Sequence, residues 1–539
     1  MGTEPEVRHG VRALGLGGLI AVVLATGCPP EDAPFHGQEV SWRPCHDGEE
    51  DAAGGGADTE WLESLECGTV TVPLDHGEPR GRTLDIALVR APADGPKEEH
   101  LGSLVVNPGG PGVSGVRALE SPLFGDGIRA AFDLVSFDPR GVGKSGGFAC
   151  GDRYALVDAR QSVAGTDPGD LGAAELRPLA DAARGYARAC EERVGEEFLA
   201  RVGTVNVARD LDVIRDALGE ERLNFVGYSY GAWIGALYAH MYPENIRALV
   251  LDGAVATRMS NAEAAVDQVA AFQHTWEMFL ADCVAEVDAC PFTGADRGSG
   301  GPGAASEADA RMAGLLERLD RDPARVEGIP VDGRTLLTMV GMALYQEGAW
   351  DHLAGVLTAL AEGDDRGVER HLGRLYDDTF GQYAKAESGE SEPGTGHQDA
   401  GAAYTAVRCA DRADPEDVTA YRDAADEAAD ISPLFGPGPV WDQLPCAYWP
   451  GTEKAPTALT APEAPPIVVV GTVGDPATPY HWVREAAERL ETATLVTYEG
   501  AGHTVYGWGR SPCVDGAVDA YLLTGEVPRP GLTCPPAVT

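Results

Sequence analysis

Leu223-Asn224-Phe225-Val226-Gly227-Tyr228-Ser229-Tyr230-Gly231-Ala232-Trp233-Ile234-Gly235-Ala236-Leu237-Tyr238 runs from a short apolar segment, through a serine between two glycines, into an apolar stretch of helical length. The first four residues suit a buried strand and the last seven a helix, so Gly227-Tyr228-Ser229-Tyr230-Gly231 falls on a strand-to-helix turn. Such a turn throws the serine Oγ outward, and its glycines leave room for the tight backbone. A bare G-x-S-x-G match is common by chance, and a glycine-rich turn whose serine only caps the helix is the plainer alternative. The strand before it and the helix after it favour an exposed nucleophile.

The same pattern extends on both sides. Cys67-Gly68-Thr69-Val70-Thr71-Val72-Pro73 and Leu84-Asp85-Ile86-Ala87-Leu88-Val89 read as early strands. Leu104-Val105-Val106-Asn107, Leu134-Val135-Ser136-Phe137-Asp138 and Ala248-Leu249-Val250-Leu251-Asp252 are short apolar runs that stop at turn residues, as buried strands do. Between about 254 and 450 the chain becomes rich in Ala, Glu, Leu and Asp with helical spacing, broken near 294–305 and 387–397. Strands return at Pro466-Ile467-Val468-Val469-Val470-Gly471 and Thr494-Leu495-Val496-Thr497-Tyr498. Strands alternating with helices predict a mostly parallel sheet covered on both faces, here split by a large helical insertion. That division accounts for 539 residues without two independent domains.

A serine hydroxyl needs a base to take its proton. On a turn of this kind the acid and then the histidine follow the serine, each at the end of a later strand. Two histidines remain beyond residue 471, His481 and His503. His503, in Gly500-Ala501-Gly502-His503-Thr504, comes directly after a strand and is the expected base; His481 opens a helix and reads as a surface residue. Asp475, in Gly471-Thr472-Val473-Gly474-Asp475-Pro476, is the expected acid, with Asp252 its competitor at the end of the preceding strand. An oxyanion needs backbone donors. The amide of Tyr230, next to the serine, is one. Gly110, in the loop Asn107-Pro108-Gly109-Gly110-Pro111-Gly112, is the expected second, with Gly109 its neighbour and rival.

The motifs Asn107-Pro108-Gly109-Gly110-Pro111-Gly112, Phe137-Asp138-Pro139-Arg140-Gly141-Val142-Gly143, Gly227-Tyr228-Ser229-Tyr230-Gly231, Gly474-Asp475-Pro476-Ala477-Thr478-Pro479 and Gly502-His503 occur in this order. Together they resemble the prolyl/tripeptidyl aminopeptidase family of α/β-hydrolases, in particular its secreted bacterial tripeptidyl aminopeptidases. The resemblance spans residues from about 67 to the C-terminus. It implies an α/β-hydrolase fold with a large helical cap, and a C-terminal part, from about Cys409 to Cys534, that carries acid and base. It also implies release of short peptides or single residues from free N-termini, with no metal or organic cofactor. Where the oxyanion loop of the wider class begins with histidine, this one begins Asn107-Pro108. A carboxylesterase or prolyl aminopeptidase on the same triad, and a surface binding lipoprotein without catalysis, are the alternatives.

Two further motifs are read as structural. Gly143-Lys144-Ser145 matches the end of a phosphate-binding loop, but the required glycine five residues before Gly143 is Asp138. Asp138 and Arg140 read as a structural turn pair beneath the site.

The N-terminus reads as an export segment. Arg8 and Arg12 precede an uncharged run, 13–27, too short for a membrane span of ~20 residues. The run ends in Leu24-Ala25-Thr26-Gly27-Cys28, which resembles a bacterial lipobox with Cys28 as the lipidated residue. Ala25 replaces the usual leucine, so cleavage with Cys28 incidental is the alternative. Setting Cys28 aside leaves ten of the eleven cysteines. They lack the close spacing of a zinc site, which favours disulfides outside the cytoplasm. Pairing of sequence neighbours, such as Cys283 with Cys290 and Cys513 with Cys534, is one of several possible connectivities. The expected organisation is a signal peptide at 1–27, a tether at 28–60, core at 61–254, helical cap at 255–430 and core again at 431–539. With 41 basic against 85 acidic side chains, a net charge of −44 excludes a nucleic-acid binder that works by neutralising phosphates. The expected partners are peptides with a free N-terminus, and a membrane only through the lipid.

Overall fold

The computed structural model describes residues 35–45, 57–151, 153–256, 258–286, 290–292, 302–326, 329–375 and 400–536. The export segment with Cys28, the glycine run 54–56 and the interruption at 387–397 lie outside them.

Twelve strands are present among the described residues: β1 (Arg43–Pro44), β2 (Glu66–Pro73), β3 (Thr83–Ala91), β4 (Ser103–Asn107), β5 (Asp133–Phe137), β6 (Leu223–Tyr228), β7 (Ile246–Asp252), β8 (Ala324–Val326), β9 (Ile329–Val331), β10 (Ile467–Gly474), β11 (Ala493–Ala501) and β12 (Leu532–Cys534). Ten form one sheet in the order β1-β2-β3-β5-β4-β6-β7-β10-β11-β12, and β8 pairs only with β9. From β5 to β12 every neighbour is parallel, while β1, β2 and β3 are joined to the sheet by antiparallel pairing. The central strands are apolar at successive positions because helices cover both faces. Val105, Phe225, Leu249 and Val469 point to one side, where helices Thr204–Ala217 and Tyr230–Met241 pack. Leu104, Val106, Val226, Val250 and Val468 point to the other, against helix Pro512–Thr524. This is the α/β-hydrolase fold.

The chain between β7 and β10 is the helical insertion. It carries helices Asn261–Glu286, Pro302–Arg321, Gly333–Ala343, Trp350–Glu362, Ala400–Asp411 and Val418–Ile431, with the β8–β9 hairpin among them. Trp276, Phe279, Leu336, Val340, Leu353 and Leu357 form one of its cores. A second core joins Ala265, Val269, Tyr421 and Ala425 to Leu176, Leu179 and Ala183. The latter three belong to helix Ala173–Val194, which precedes the serine in sequence.

Each of the ten remaining cysteines pairs with its sequence neighbour: Cys45–Cys67, Cys150–Cys190, Cys283–Cys290, Cys409–Cys446 and Cys513–Cys534. Such bridges constrain the unfolded chain, typically by about 2–4 kcal/mol each.

Asp138 and Arg140 are structural, but they are not a pair. Arg140 is buried and donates from Nε and Nη2 to Asp210, at 2.7 and 2.6 Å. Its other donors reach the carbonyls of Leu74, Arg201 and Pro73. Asp138 instead accepts from Ser114 Oγ and from the amides of Val116 and Lys144. Spacing two residues apart implied a contact that the turn does not make. Because the Arg140–Asp210 pair is 1% and 2% exposed, Arg140→Met leaves a buried carboxylate with only the His76 imidazole, at 2.8 Å, beside it. That variant is expected to lose about 3–5 kcal/mol of stability, read as a lowered urea midpoint. A change under 1 kcal/mol would show the pair to be dispensable.

Candidate active site

Ser229 sits between β6 and helix Tyr230–Met241 with φ +55° and ψ −117°, a strained backbone for a residue with a side chain. Its amide donates to the carbonyl of Asp252 on the neighbouring strand at 2.8 Å, which holds the turn in place. The two glycines of the motif are required by contact. A Cβ at Gly227 would lie 2.2 Å from the carbonyl oxygen of Gly231, and one at Gly231 would lie 2.4 Å from that of Asn107.

His503 follows β11 and faces Asp475, which follows β10. Its Nδ1 lies 3.0 Å from Oδ1 and 2.9 Å from Oδ2 of Asp475. Asp475 is buried and further fixed by the amides of Ala477 and Thr478, each at 2.8 Å from Oδ1, and by the Thr478 hydroxyl at 2.8 Å from Oδ2. A carboxylate so supplied is an acceptor, so Nδ1 carries the imidazole proton and Nε2 is left to act as base. Asp252 does not join this pair. Its Oδ2 accepts from the amides of Val505 and Tyr506 at 2.8 Å each, holding the chain just beyond His503. Burial pushes its pKa up to about 6. His481 is exposed and bonds to Asp267.

The glycine loop after β4 runs against the serine turn. A Cβ at Gly109 would meet the carbonyl oxygen of Tyr228 at 2.4 Å. Asn107 Oδ1 accepts from the Gly109 amide at 3.1 Å, which explains the asparagine where other loops begin with histidine. Gly110, at φ +105°, lines the same cavity as Ser229. The amide of Tyr230 opens a helix, where the first N–H groups have no partner within the helix.

Two contributions to the site were missed in the sequence. Thr478 carries no signal beyond its place three residues after Asp475. The insertion also grips the histidine loop: His503 N donates to Tyr345 O at 2.9 Å, Gln346 bridges Gly502, and the Tyr345 ring meets the imidazole edge-on at 5.2 Å. Arg510 Nη1 donates to the carbonyls of His503 and Thr504 at 3.2 and 3.1 Å. The Tyr345 and Gln346 contacts join segments more than a hundred residues apart, so no local pattern announces them. Ser229, His503, Gly110, Tyr345, Thr478 and Trp482 share the wall of a cavity of about 270 Å³.

An α/β sheet presenting a strained serine, a carboxylate-bound imidazole and a glycine loop around one cavity defines a serine hydrolase of the α/β-hydrolase class. A family profile described as "TAP-like protein" matches residues 432–534, which contain Asp475 and His503. The chain is 36% identical to "Serine protease Hip1" of Mycobacterium tuberculosis, over 97% of this chain and 95% of that protein. It is 34% identical to "Tripeptidyl aminopeptidase" of Streptomyces lividans, over 90% and 86%. It is also 34% identical to "Carboxylesterase B" of Mycobacterium tuberculosis, over 94% and 91%. The chain belongs to the tripeptidyl aminopeptidase family of α/β-hydrolases.

Proposed function

We propose that the protein is an exported serine peptidase that releases short peptides, tripeptides above all, from free N-termini through an acyl-enzyme. The observation that carries this reading is the Asp475–His503 contact on the wall of a cavity that also holds Ser229. In it, His503 Nε2 takes the Ser229 hydroxyl proton as Oγ attacks the scissile carbonyl, and Asp475 stabilises the imidazolium. The amides of Tyr230 and Gly110 receive the oxyanion; the Gly109 amide is already engaged by Asn107. The imidazolium then protonates the departing amine. A water, deprotonated by the same Nε2, releases the N-terminal peptide from Ser229. No step calls for a metal or organic cofactor.

Similarity to a protease and a tripeptidyl aminopeptidase supports a peptide substrate. Five disulfides support an extracytoplasmic location. Lipid attachment at Cys28 is the finer proposal, with the membrane reached only through that lipid. Among the described residues, no helix is long and apolar enough to cross a membrane. We divide the chain as core at 61–254 and 431–539 around a cap at 255–430.

The test offers one peptide with a free and with an acetylated N-terminus, and reads the products by mass spectrometry. Tripeptides from the free form alone are expected. Single residues would instead make it an aminopeptidase of the prolyl kind. Cleavage of a short acyl ester with neither peptide cut would leave a carboxylesterase, the name one relative carries.

A further inference from the structure

We propose that a second cavity, which shares His503 with the serine's cavity, binds the side chain of the residue that becomes the new N-terminus and selects an aliphatic one. This rests on the reading of the protein as a peptidase that works through an acyl-enzyme.

Two cavities meet at His503. The larger has Ser229, Tyr230 and Gly110 on its wall. The smaller, of about 80 Å³, has none of these three but shares His503, Met342 and Tyr345 with the larger. The acyl group is bonded to Ser229, so the chain N-terminal to the scissile bond occupies the larger cavity. The departing amine takes its proton from His503 and lies against the imidazole. The space that touches the imidazole and not the serine is therefore left to the departing residue.

The walls of that space define what fits it. Val113, Leu123 and the rings of Tyr228 and Trp508 make it largely apolar. A cavity of about 150 Å³ accepts benzene. About 80 Å³ suits a branched aliphatic chain better than a ring. Among the described residues, Arg510 stands on its wall and no carboxylate does; Asp411, which accepts from the Thr204 amide, is on the larger cavity alone. A lysine or arginine side chain placed there would meet a like charge. That local repulsion opposes the net charge of −44, which draws cations in at long range. Arg510 is tied to the carbonyls of His503 and Thr504, and the Tyr228 hydroxyl donates to the carbonyl of Tyr506 at 3.1 Å. The walls are thus formed before substrate arrives.

Deacylation reads this space directly. When an amino-acid amide replaces water, its amine nitrogen attacks the acyl carbon. The C–N bond forms as the C–Oγ bond breaks, and His503 passes the amine's proton to Ser229 Oγ. This is acylation in reverse, so the incoming amide takes the departing residue's place.

The experiment forms the acyl-enzyme from a tripeptide 4-nitroanilide and measures transfer to each amide relative to hydrolysis by mass spectrometry. Leucinamide is expected to exceed glycinamide and lysinamide by about 10-fold each. Leu123→Ala, which enlarges the cavity, is expected to raise phenylalaninamide against leucinamide by about 10-fold. A ratio of two nucleophiles does not depend on how much of a variant is folded. Should Leu123→Ala yield no active enzyme, Ala118→Leu narrows the same cavity and is expected to lower leucinamide against glycinamide. Equal transfer to all amides in wild type, or a preference for lysinamide, would overturn the subsite and leave the peptidase reading standing. So would a leucinamide preference that neither substitution moves. An anilide that fails to acylate the enzyme would remove the peptidase reading, and the subsite with it.

Discussion

Ser229→Ala is expected to lower kcat by about 10⁶-fold on peptide and ester alike, with an unfolding midpoint close to that of wild type. The alanine keeps the Cβ that the turn already accommodates at φ +55°, and no hydrogen bond that holds the turn comes from the hydroxyl. The Ser229 amide still reaches Asp252, and β6 and helix Tyr230–Met241 are unchanged around it. What disappears is the atom that would form the acyl-enzyme. Oxyanion donors and substrate contacts remain, so a residual acceleration over water of about 10³–10⁴ is expected. Single-turnover kinetics and labelling by a fluorophosphonate check the chemistry, and thermal unfolding checks the fold. Turnover within tenfold of wild type would remove Ser229 from the mechanism. Failure of wild type to take the label would favour a protein that binds without catalysis.

Asp475→Asn is expected to cost about 10⁴ in kcat at neutral pH. The existing bonds dictate which way the amide lies. Oδ1 of Asp475 accepts from two backbone N–H groups, so the asparagine oxygen takes that place and its NH₂ faces Thr478 and His503. An N–H at the nearer of the two contacts with Nδ1 favours the imidazole proton on Nε2, where it blocks removal of the serine proton. Asp252→Asn, at the rival carboxylate, is expected to cost far less. The asparagine oxygen can still accept from Val505 and Tyr506, and the imidazole keeps its partner. Comparing the two kcat values assigns the acid. An Asp252→Asn loss as large as that of Asp475→Asn would overturn the assignment.

The residues from 223 to 238 were enough to locate the serine, because strand, turn and helix there are contiguous and each is set by local spacing and by glycine. His503 and Asp475 were legible for a related reason. Each lies just past the end of a strand whose apolar run is plain, and chain order restricted the choice. The disulfide partners were a harder matter, since ten cysteines pair in many ways and only the folded backbone brings each to its neighbour. Asp138 and Arg140 show the opposite failure, where closeness in sequence suggested a contact that the turn directs elsewhere.

Periodicity and turn chemistry act over a few residues, so the sequence by itself determined the alternating sheet, the serine turn and the candidates for acid and base. Three matters were decided only by tertiary structure: which carboxylate faces the imidazole, how Tyr345 and Arg510 hold the histidine loop, and that Asp411 reaches the serine's cavity. The first sets two strand ends of the core side by side, while the others bring the insertion against the histidine loop and the serine's cavity. The latter depend on how the insertion seats on the sheet, and on the hydrogen bonds left to be satisfied once it does.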